Sequence, residues 1–297
     1  LVRLCDLSSI RGPVTDRFQI FAGTSIGGLM ACALAVGIAP RRVLDAIDAS
    51  GPYIFVPKPV NFFKRFIGKA PYDSYRLSEA VKQCLRQYAD MPISQVDAAL
   101  LVPAINWTTG QTHVFMSASL GAAHASNATL YDVCMSSSAA PTFFAPHQAG
   151  EGPMLDGGLV ANNPDMLVLS EVQRRWPNEI GRVEMLSIGT AGAATPRPPE
   201  KAMKSMPGWG RSLATFMMDV QEVTASSQAT RLLGSRYLRM NHLPASGEAA
   251  FERLDLADDA SRSALFRASD ATAQEAYKRH RAFIDRMLSP SSLTGRQ

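Results

Sequence analysis

The pattern of apolar and polar positions divides much of the chain into short apolar runs that alternate with helical stretches. Apolar runs of strand length occur at 17–22, 97–106, 111–116, 153–158, 182–189 and 235–241. Helical patterns occur at 26–34, 40–47, 75–88, 130–135, 165–175, 211–233 and 261–288. This alternation predicts an α/β protein with a mainly parallel sheet that helices cover on both faces.

The most informative stretch joins one of these runs to the helix that follows it. Residues 17–22 have strand length, Gly23-Thr24-Ser25-Ile26-Gly27 comes next, and small residues at helical spacing continue to Leu34. In a G-x-S-x-G turn the serine stands exposed above the sheet edge, and the glycines let strand and helix approach each other. We therefore predict that Ser25 is a nucleophile and that the amino end of the helix faces any oxyanion formed there. The alternative is a tight turn whose glycines serve packing only.

Residues 51–72 are unusual because aromatic and cationic residues are interleaved with no acidic residue among them. The aromatic residues include Tyr53, Phe55, Phe62, Phe63 and Phe66, and the cations are Lys58, Lys64, Arg65 and Lys69. This mixture is typical of a membrane interface, where rings insert beneath head groups and cations meet phosphates. The segment is equally compatible with a cap that folds over the sheet and leaves its lysines in water.

Composition narrows the class of protein. The 297 residues are 46% hydrophobic, which is enough for one large core or for two domains of ordinary size. The net charge of +4 suits an anionic surface or ligand and is too small to indicate a nucleic acid polymer as partner. The four cysteines are scattered through apolar patterns, so we expect buried free thiols in a reducing compartment and neither a metal site nor a cofactor.

A serine nucleophile needs a base, and the sequence offers two kinds. None of the histidines stands in a motif: they are His113, His124, His147, His242 and His280. Asp156 is better placed, because Asp156-Gly157-Gly158 ends a short strand and the glycines let the backbone approach another site closely. A carboxylate that takes the Ser25 proton directly would form a Ser–Asp dyad. The second interpretation is a Ser-His-Asp esterase of the α/β-hydrolase type, with His242 or His280 as base.

Four blocks in a fixed order resemble the patatin-like phospholipases. The blocks are Phe21-Ala22-Gly23-Thr24-Ser25-Ile26-Gly27-Gly28, Ser137-Ser138-Ala139-Ala140-Pro141-Thr142-Phe143-Phe144, Asp156-Gly157-Gly158 with Asn162-Asn163-Pro164, and Leu186-Ser187-Ile188-Gly189-Thr190. The resemblance implies a three-layer α/β/α sandwich and a single domain over 1–297. The catalytic motifs then occupy 18–190, and a helical, regulatory part occupies 196–297.

The same resemblance implies roles for individual residues. Ser25 would be the nucleophile and Asp156 the general base in the hydrolysis of acyl esters of membrane phospholipids. The nucleophile elbow would consist of Gly23, Thr24, Ile26 and Gly27 around the serine, and the base motif of Gly157 and Gly158.

The C-terminal third is similar to bacterial patatin-like effectors of anti-phage signalling, which a cyclic dinucleotide activates. The matching stretches are Gly208-Trp209-Gly210, Ser226-Ser227-Gln228 and residues 232–239. This similarity implies a cyclic dinucleotide as activator and membrane phospholipids as substrate, and it is compatible with an oligomer. We expect a cytoplasmic protein that acts at the inner face of the cell membrane.

The chain departs from the family pattern in front of the elbow. Patatin-like proteins form the oxyanion hole with the amides of a glycine-rich loop that ends in Arg-Gly. Ser9-Ile10-Arg11-Gly12 lacks the glycine run and lies too close to Gly23 for an intervening helix. We therefore expect the true loop to precede Leu1 and the oxyanion site beside Ser25 to be incomplete. A third interpretation is a non-catalytic protein that binds lipid or nucleotide on a degenerate hydrolase scaffold.

Overall fold

The computed structural model describes residues 1–56, 70–121, 126–191, 212–244 and 255–289. The helices are α1 (Val2–Leu7), α2 (Ile26–Ala35), α3 (Pro40–Ile54), α4 (Ser74–Leu85), α5 (Leu130–Ser137), α6 (Gly158–Ala161), α7 (Asp165–Arg175), α8 (Ser212–Leu233) and α9 (Asp259–Leu288). The strands are β1 (Ile20–Ala22), β2 (Ala99–Asn106), β3 (Thr112–Met116), β4 (His147–Ala149), β5 (Gly152–Asp156), β6 (Met185–Ile188) and β7 (Tyr237–Met240). The predicted strands and helices occur in the predicted order, and β4 and α6 are additional elements.

Strand β2 is the centre of a five-stranded sheet, because both of its edges are paired. One edge carries β3, which pairs antiparallel with 101–105. The other edge carries two short strands. β1 runs parallel to β2 and ends with Ala22 opposite Leu101. β5 runs antiparallel to β2 and ends with Asp156 opposite Ala104. The carboxyl ends of β1 and β5 therefore point toward each other over the middle of β2.

The strand directions follow from the connections between strands. β1 with β2 and β6 with β7 are parallel pairs that helices connect, as parallel neighbours require. β2 with β3 and β4 with β5 are antiparallel hairpins, and β5 returns antiparallel to β2. The predicted α/β/α class is confirmed. The predicted parallel direction applies to the helix-connected pairs, whereas the hairpins make the central sheet mixed.

The two faces of β2 bury different side chains. Leu100, Val102 and Ala104 face the main core, where α2 and α5 cover the sheet. Ala99 and Leu101 face the opposite side of the sheet and belong to a second cluster. A strand that is buried on both faces reads as an uninterrupted apolar run rather than as an alternating one. This explains the sequence pattern at 99–106.

Local chemistry sets where the helices near the site begin. Pro40 occupies the first turn of α3, where its missing N–H leaves no acceptor unpaired. Thr129 caps α5 by accepting a hydrogen bond from the Asp132 amide over 3.1 Å. From this cap, α5 packs along β2 and β5 and ends at Ser137. The four cysteines are free and buried, as predicted.

The aromatic and cationic segment is described only in part. Phe55 is half-buried and packs edge-on against Tyr72, with 5.5 Å between ring centroids, as a cap residue would. Tyr53 is 46% exposed. The other aromatic and cationic positions of this segment lie outside the described residues: Phe62, Phe63, Phe66, Lys58, Lys64, Arg65 and Lys69. Gly208-Trp209-Gly210 also lies outside them. The cap and the membrane interface both stay predictions.

The C-terminal helices pack against elements from the first part of the chain. α9 contacts α1, and Leu4 shares a buried cluster with Ile284 and Leu288. α8 contacts α6 and α7, and Leu169 shares another cluster with Leu233. Among the helices that the structure describes, none combines the length and apolar character needed to cross a membrane.

Candidate active site

Ser25 lies at the turn between β1 and α2 with a strained backbone. Its φ of 56° and ψ of −123° are values that residues other than glycine rarely adopt. Gly23 makes the sharp turn possible, since a Cβ built on it would lie 1.9 Å from the Gly27 carbonyl oxygen. The strand, turn and helix that the G-x-S-x-G pattern predicted are confirmed. A strained serine at the turn from a strand into a helix is typical of a nucleophile elbow.

The convergence of β1 and β5 brings Ser25 next to Asp156. Ser25 follows the end of β1 by three residues, and Asp156 is the last residue of β5. The Ser25 hydroxyl donates a hydrogen bond to Asp156 Oδ2 over 2.8 Å. This distance lies within the range expected for a nucleophile and its base. The predicted proximity of the two side chains is confirmed, and their catalytic roles stay predictions.

The Asp156 carboxyl group is buried and has a donor for each oxygen. Only 1% of the residue's surface is exposed. Its Oδ1 accepts a hydrogen bond from the Gly158 amide over 2.6 Å, and Oδ2 accepts the one from Ser25. Burial raises the pKa of Asp156 from 3.8 to about 6, although both hydrogen bonds act to lower it. A carboxylate with this pKa is ionised at pH 7 and is a stronger base than an exposed one.

The two glycines after Asp156 lie in tight surroundings, and the contact at Gly157 excludes a side chain. A Cβ built on Gly157 would lie 2.2 Å from the Pro103 carbonyl oxygen in β2. A Cβ on Gly158 would lie 3.0 Å from Asp156 Oδ1 and 3.1 Å from Met218 Cε. The predicted reason for the Asp-Gly-Gly pattern, which is close backbone approach, is therefore confirmed.

Two further hydroxyl groups brace the elbow. Ser137, at the end of α5, accepts a hydrogen bond from the Ser25 amide over 2.9 Å and donates one to the Pro103 carbonyl over 2.7 Å. Thr24 donates a hydrogen bond to the Ala161 carbonyl over 2.6 Å and so ties the elbow to α6. The sequence places Ser137 in one of the blocks that resemble the family, near the end of a predicted helix, and nothing in the sequence indicates this bracing role.

The amino end of α2 lies directly after the nucleophile. Ile26 is the first residue of α2, and amides in the first turn of a helix lack an intrahelical acceptor and favour negative charge. In a nucleophile elbow the amide after the serine is one oxyanion donor, so the Ile26 amide is the candidate for that role. The turn at 9–12 closes α1 instead, with the Ile10 amide donating to the Cys5 carbonyl over 2.7 Å. That the remaining donors precede Leu1 stays a prediction.

Three histidines, His113, His147 and His280, have other surroundings. Nε2 of His113 lies 2.9 Å from Glu151 Oε2, Nε2 of His147 lies 3.0 Å from Asp132 Oδ1, and His280 occupies a kink inside α9. The Ser25 hydroxyl already donates to Asp156. The geometry therefore favours the direct dyad over a triad that uses His242 or His280 as base.

Similarity to known proteins identifies the family of the chain. The family model of patatin-like phospholipases matches residues 5–168, which include both Ser25 and Asp156. The chain therefore belongs to the patatin-like phospholipase family.

Three bacterial relatives, each named cGAMP-activated phospholipase, are similar to the chain. The relative from Vibrio cholerae is 32% identical over 194 residues, which are 60% of this chain and 54% of the relative. The relative from Pseudomonas aeruginosa is 28% identical over 247 residues, 80% of this chain and 72% of the relative. The relative from Escherichia coli is 27% identical over 304 residues, 94% of this chain and 83% of the relative. The chain thus spans about half the length of the Vibrio relative.

Proposed function

We propose that the protein is a phospholipase of the A type, which hydrolyses acyl esters of membrane phospholipids with a Ser25–Asp156 dyad. The observation that carries this proposal is the 2.8 Å hydrogen bond from the strained Ser25 to the buried Asp156 carboxylate. Membership of the patatin-like phospholipase family supports lipid esters as the substrate class.

In the first half of the proposed reaction, Ser25 Oγ attacks the ester carbonyl carbon and Asp156 takes the hydroxyl proton. The negative charge that develops on the carbonyl oxygen faces the amino end of α2, where the Ile26 amide can donate to it. The bond to the lysophospholipid oxygen then breaks, and Asp156 returns the proton to that oxygen. The product of this half is an acyl ester of Ser25.

In the second half, a water molecule replaces the lysophospholipid. Asp156 takes a proton from the water as its oxygen attacks the acyl carbonyl, and Ser25 leaves with that proton restored. The fatty acid is released. A single carboxylate serves as base and acid in turn, and the pKa of about 6 suits this exchange because both protonation states are accessible near neutral pH.

We also propose that a cyclic dinucleotide activates the protein in anti-phage defence. Three relatives carry cGAMP activation in their names, and this similarity extends over 94% of the chain in one of them. The mildly basic net charge of +4 suits both an anionic nucleotide and an anionic lipid surface. The proposed site of action is the cytoplasmic face of the cell membrane.

The proposal is tested by incubating the protein with vesicles of mixed phospholipids, with and without a panel of cyclic dinucleotides that includes cGAMP. Mass spectrometry quantifies the fatty acids and lysophospholipids released. We expect release that one of the nucleotides increases and that Ser25→Ala abolishes. Equal release by the wild type and Ser25→Ala would refute the assignment of Ser25 as nucleophile.

Two further outcomes separate the competing interpretations. Loss of release in His242→Gln or His280→Gln, with the fold intact, would favour a Ser-His-Asp esterase. A folded wild type that binds vesicles or nucleotide and releases no fatty acid under any condition would favour a non-catalytic binding protein.

A further inference from the structure

The stretch that follows Asp156, residues 157–164, depends on the C-terminal helix α8 for its position. It joins β5 to α7, and its regular structure is the single turn of α6. The Asn163 amide donates a hydrogen bond to Gln221 Oε1 over 3.0 Å, and Asn163 Nδ2 donates to Ser226 Oγ over 3.0 Å. Asn162 Nδ2 donates to Glu222 Oε2 over 3.4 Å. Consecutive asparagines after the base are therefore held by α8.

Glu222 is a buried charge whose contacts link α8 to the second sheet. It is 7% exposed. Its Oε1 accepts hydrogen bonds from Arg239 Nη2 over 2.7 Å and from Asn241 Nδ2 over 2.8 Å. Arg239 Nη1 donates to Ser187 Oγ over 2.7 Å. Because both charges of this pair are largely shielded from water, removing one of them leaves the other buried without its partner.

The same network returns to the beginning of α7. Ser187 Oγ lies 2.8 and 2.9 Å from the two carboxylate oxygens of Asp165, and the Tyr237 hydroxyl donates to Asp165 Oδ2 over 2.5 Å. Asp165 in turn donates its amide hydrogen to Asn163 Oδ1 over 3.0 Å. A polar network in which the members satisfy one another fixes one arrangement of the elements that it joins. Here those elements are β6, β7, α8 and the stretch that follows Asp156.

We propose that Glu222 is a positioning residue for the catalytic base, because its ion pair with Arg239 fixes α8 where Asn162 and Asn163 hold the stretch that follows Asp156. This inference rests on the proposed dyad. It makes the C-terminal part of the chain responsible for the geometry between Ser25 and its base. A displacement of about 1 Å at a reacting group lowers the rate about a hundredfold.

The test compares Glu222→Gln, which removes the charge and keeps the shape, with the matched control Glu184→Gln. Glu184 pairs with Arg286 at 2.6 Å on a more exposed part of the surface. Fatty acid release from phospholipid vesicles is measured per active site, and active sites are counted by titration of Ser25 with a fluorophosphonate. We expect kcat of Glu222→Gln to fall about ten- to a hundredfold with KM changed less than threefold. The control should stay within twofold of the wild type.

The pH profile gives a readout that a merely structural role would not move. If the stretch after Asp156 loosens, water reaches the carboxyl group, and the acidic limb of kcat/KM shifts to lower pH because burial is the main cause that raises the pKa. If the variant only contains less folded protein, the amount of active enzyme falls and the acidic limb of kcat/KM stays at the pH of the wild type. An unshifted acidic limb would overturn the inference.

A second variant keeps the test decisive if Glu222→Gln does not fold. Asn162→Ala removes the contact between Glu222 and the stretch while leaving the ion pair intact, and we expect the same fall in kcat and the same shift of the acidic limb. A folded variant of either kind with unchanged kcat and unchanged limb would overturn the inference. A wild type that neither reacts with the fluorophosphonate at Ser25 nor releases fatty acid would refute the proposed dyad itself, and the positioning role with it.

Discussion

Replacing Asp156 by asparagine is expected to abolish hydrolysis and, at the same time, to stabilise the fold. The buried carboxyl group has a pKa of about 6 instead of 3.8. Holding it ionised in the folded protein therefore costs about 3 kcal/mol of stability well above pH 6. Asparagine carries no charge and can keep both contacts, because its oxygen can accept from the Gly158 amide and its nitrogen can donate to Ser25 Oγ.

The sign of this effect fixes its pH dependence. Because the pKa of Asp156 is raised on folding, the folded protein binds the proton more tightly than the unfolded chain between about pH 4 and 6. The contribution of Asp156 to stability is therefore lost as the pH rises through this window and stays lost above it. Asp156→Asn should gain about 2 kcal/mol more over the wild type at pH 8 than at pH 4.

Urea unfolding of both proteins at pH 4 and pH 8, followed by circular dichroism, measures this difference. Asp90→Asn, at an exposed position, serves as the control for replacing a carboxylate by an amide. An asparagine variant at position 156 that is less stable than the wild type at pH 8 would refute the reasoning. The same gain at both pH values would also refute it, since the burial of a charge would then not be the cause.

Three further variants test the support of the site and its approach to lipid. Gly157→Ala should abolish fatty acid release, because the new Cβ would lie 2.2 Å from a carbonyl oxygen of β2; activity near that of the wild type would contradict this. Ser137→Ala should lower kcat, and it should lower the free energy of unfolding by about 1–3 kcal/mol, because it removes the acceptor of the Ser25 amide and the hydroxyl that donates to the Pro103 carbonyl; unchanged thermal unfolding would show that Ser137 does not hold the elbow in place. Lys64→Glu with Arg65→Glu should weaken vesicle binding in a salt-sensitive way, by about 1 kcal/mol per cation, and spare a small soluble ester; equal loss on both substrates would remove the membrane role.

The elbow and the base motif could be predicted because their constraints are local. Gly23 and Gly27 sit where a strand turns sharply into a helix, and Gly157 sits where the backbone touches β2. A Cβ on Gly23 would meet the backbone of Gly27 and a Cβ on Gly157 would meet the backbone of Pro103, whereas nothing lies within 4 Å of a Cβ built on Gly27. A short pattern of letters therefore carries the information.

The meeting of Ser25 with Asp156 could not be derived from local patterns. It depends on β1 and β5 lying on the same edge of β2 with opposite directions, and pairing across 131 positions leaves no periodic signal in the sequence. The Asp-Gly-Gly pattern made Asp156 one candidate base beside the histidines, and the resemblance to a family assigned it to Ser25. The strand β4 was missed because its three residues are polar in part and pair only with β5.

The contacts of Glu222 were hidden for a related reason. A glutamate in a long helical stretch is usually a solvated residue, and only the packing of α8 against β7 shows that this one is buried beside Arg239. The role of Ser137 likewise depends on where α5 ends relative to β2. Both features are tertiary.

The dyad is tested most directly by the rate at which a fluorophosphonate labels the protein as a function of pH, with the adduct mapped by mass spectrometry. A serine activated by a carboxylate with a pKa of about 6 should react faster as the pH rises through 6 and then level off, with a single adduct on Ser25. Asp156→Asn should abolish this labelling, and His242→Gln and His280→Gln should keep it. An adduct on another residue, or a rate that depends on a histidine and not on Asp156, would contradict the assignment.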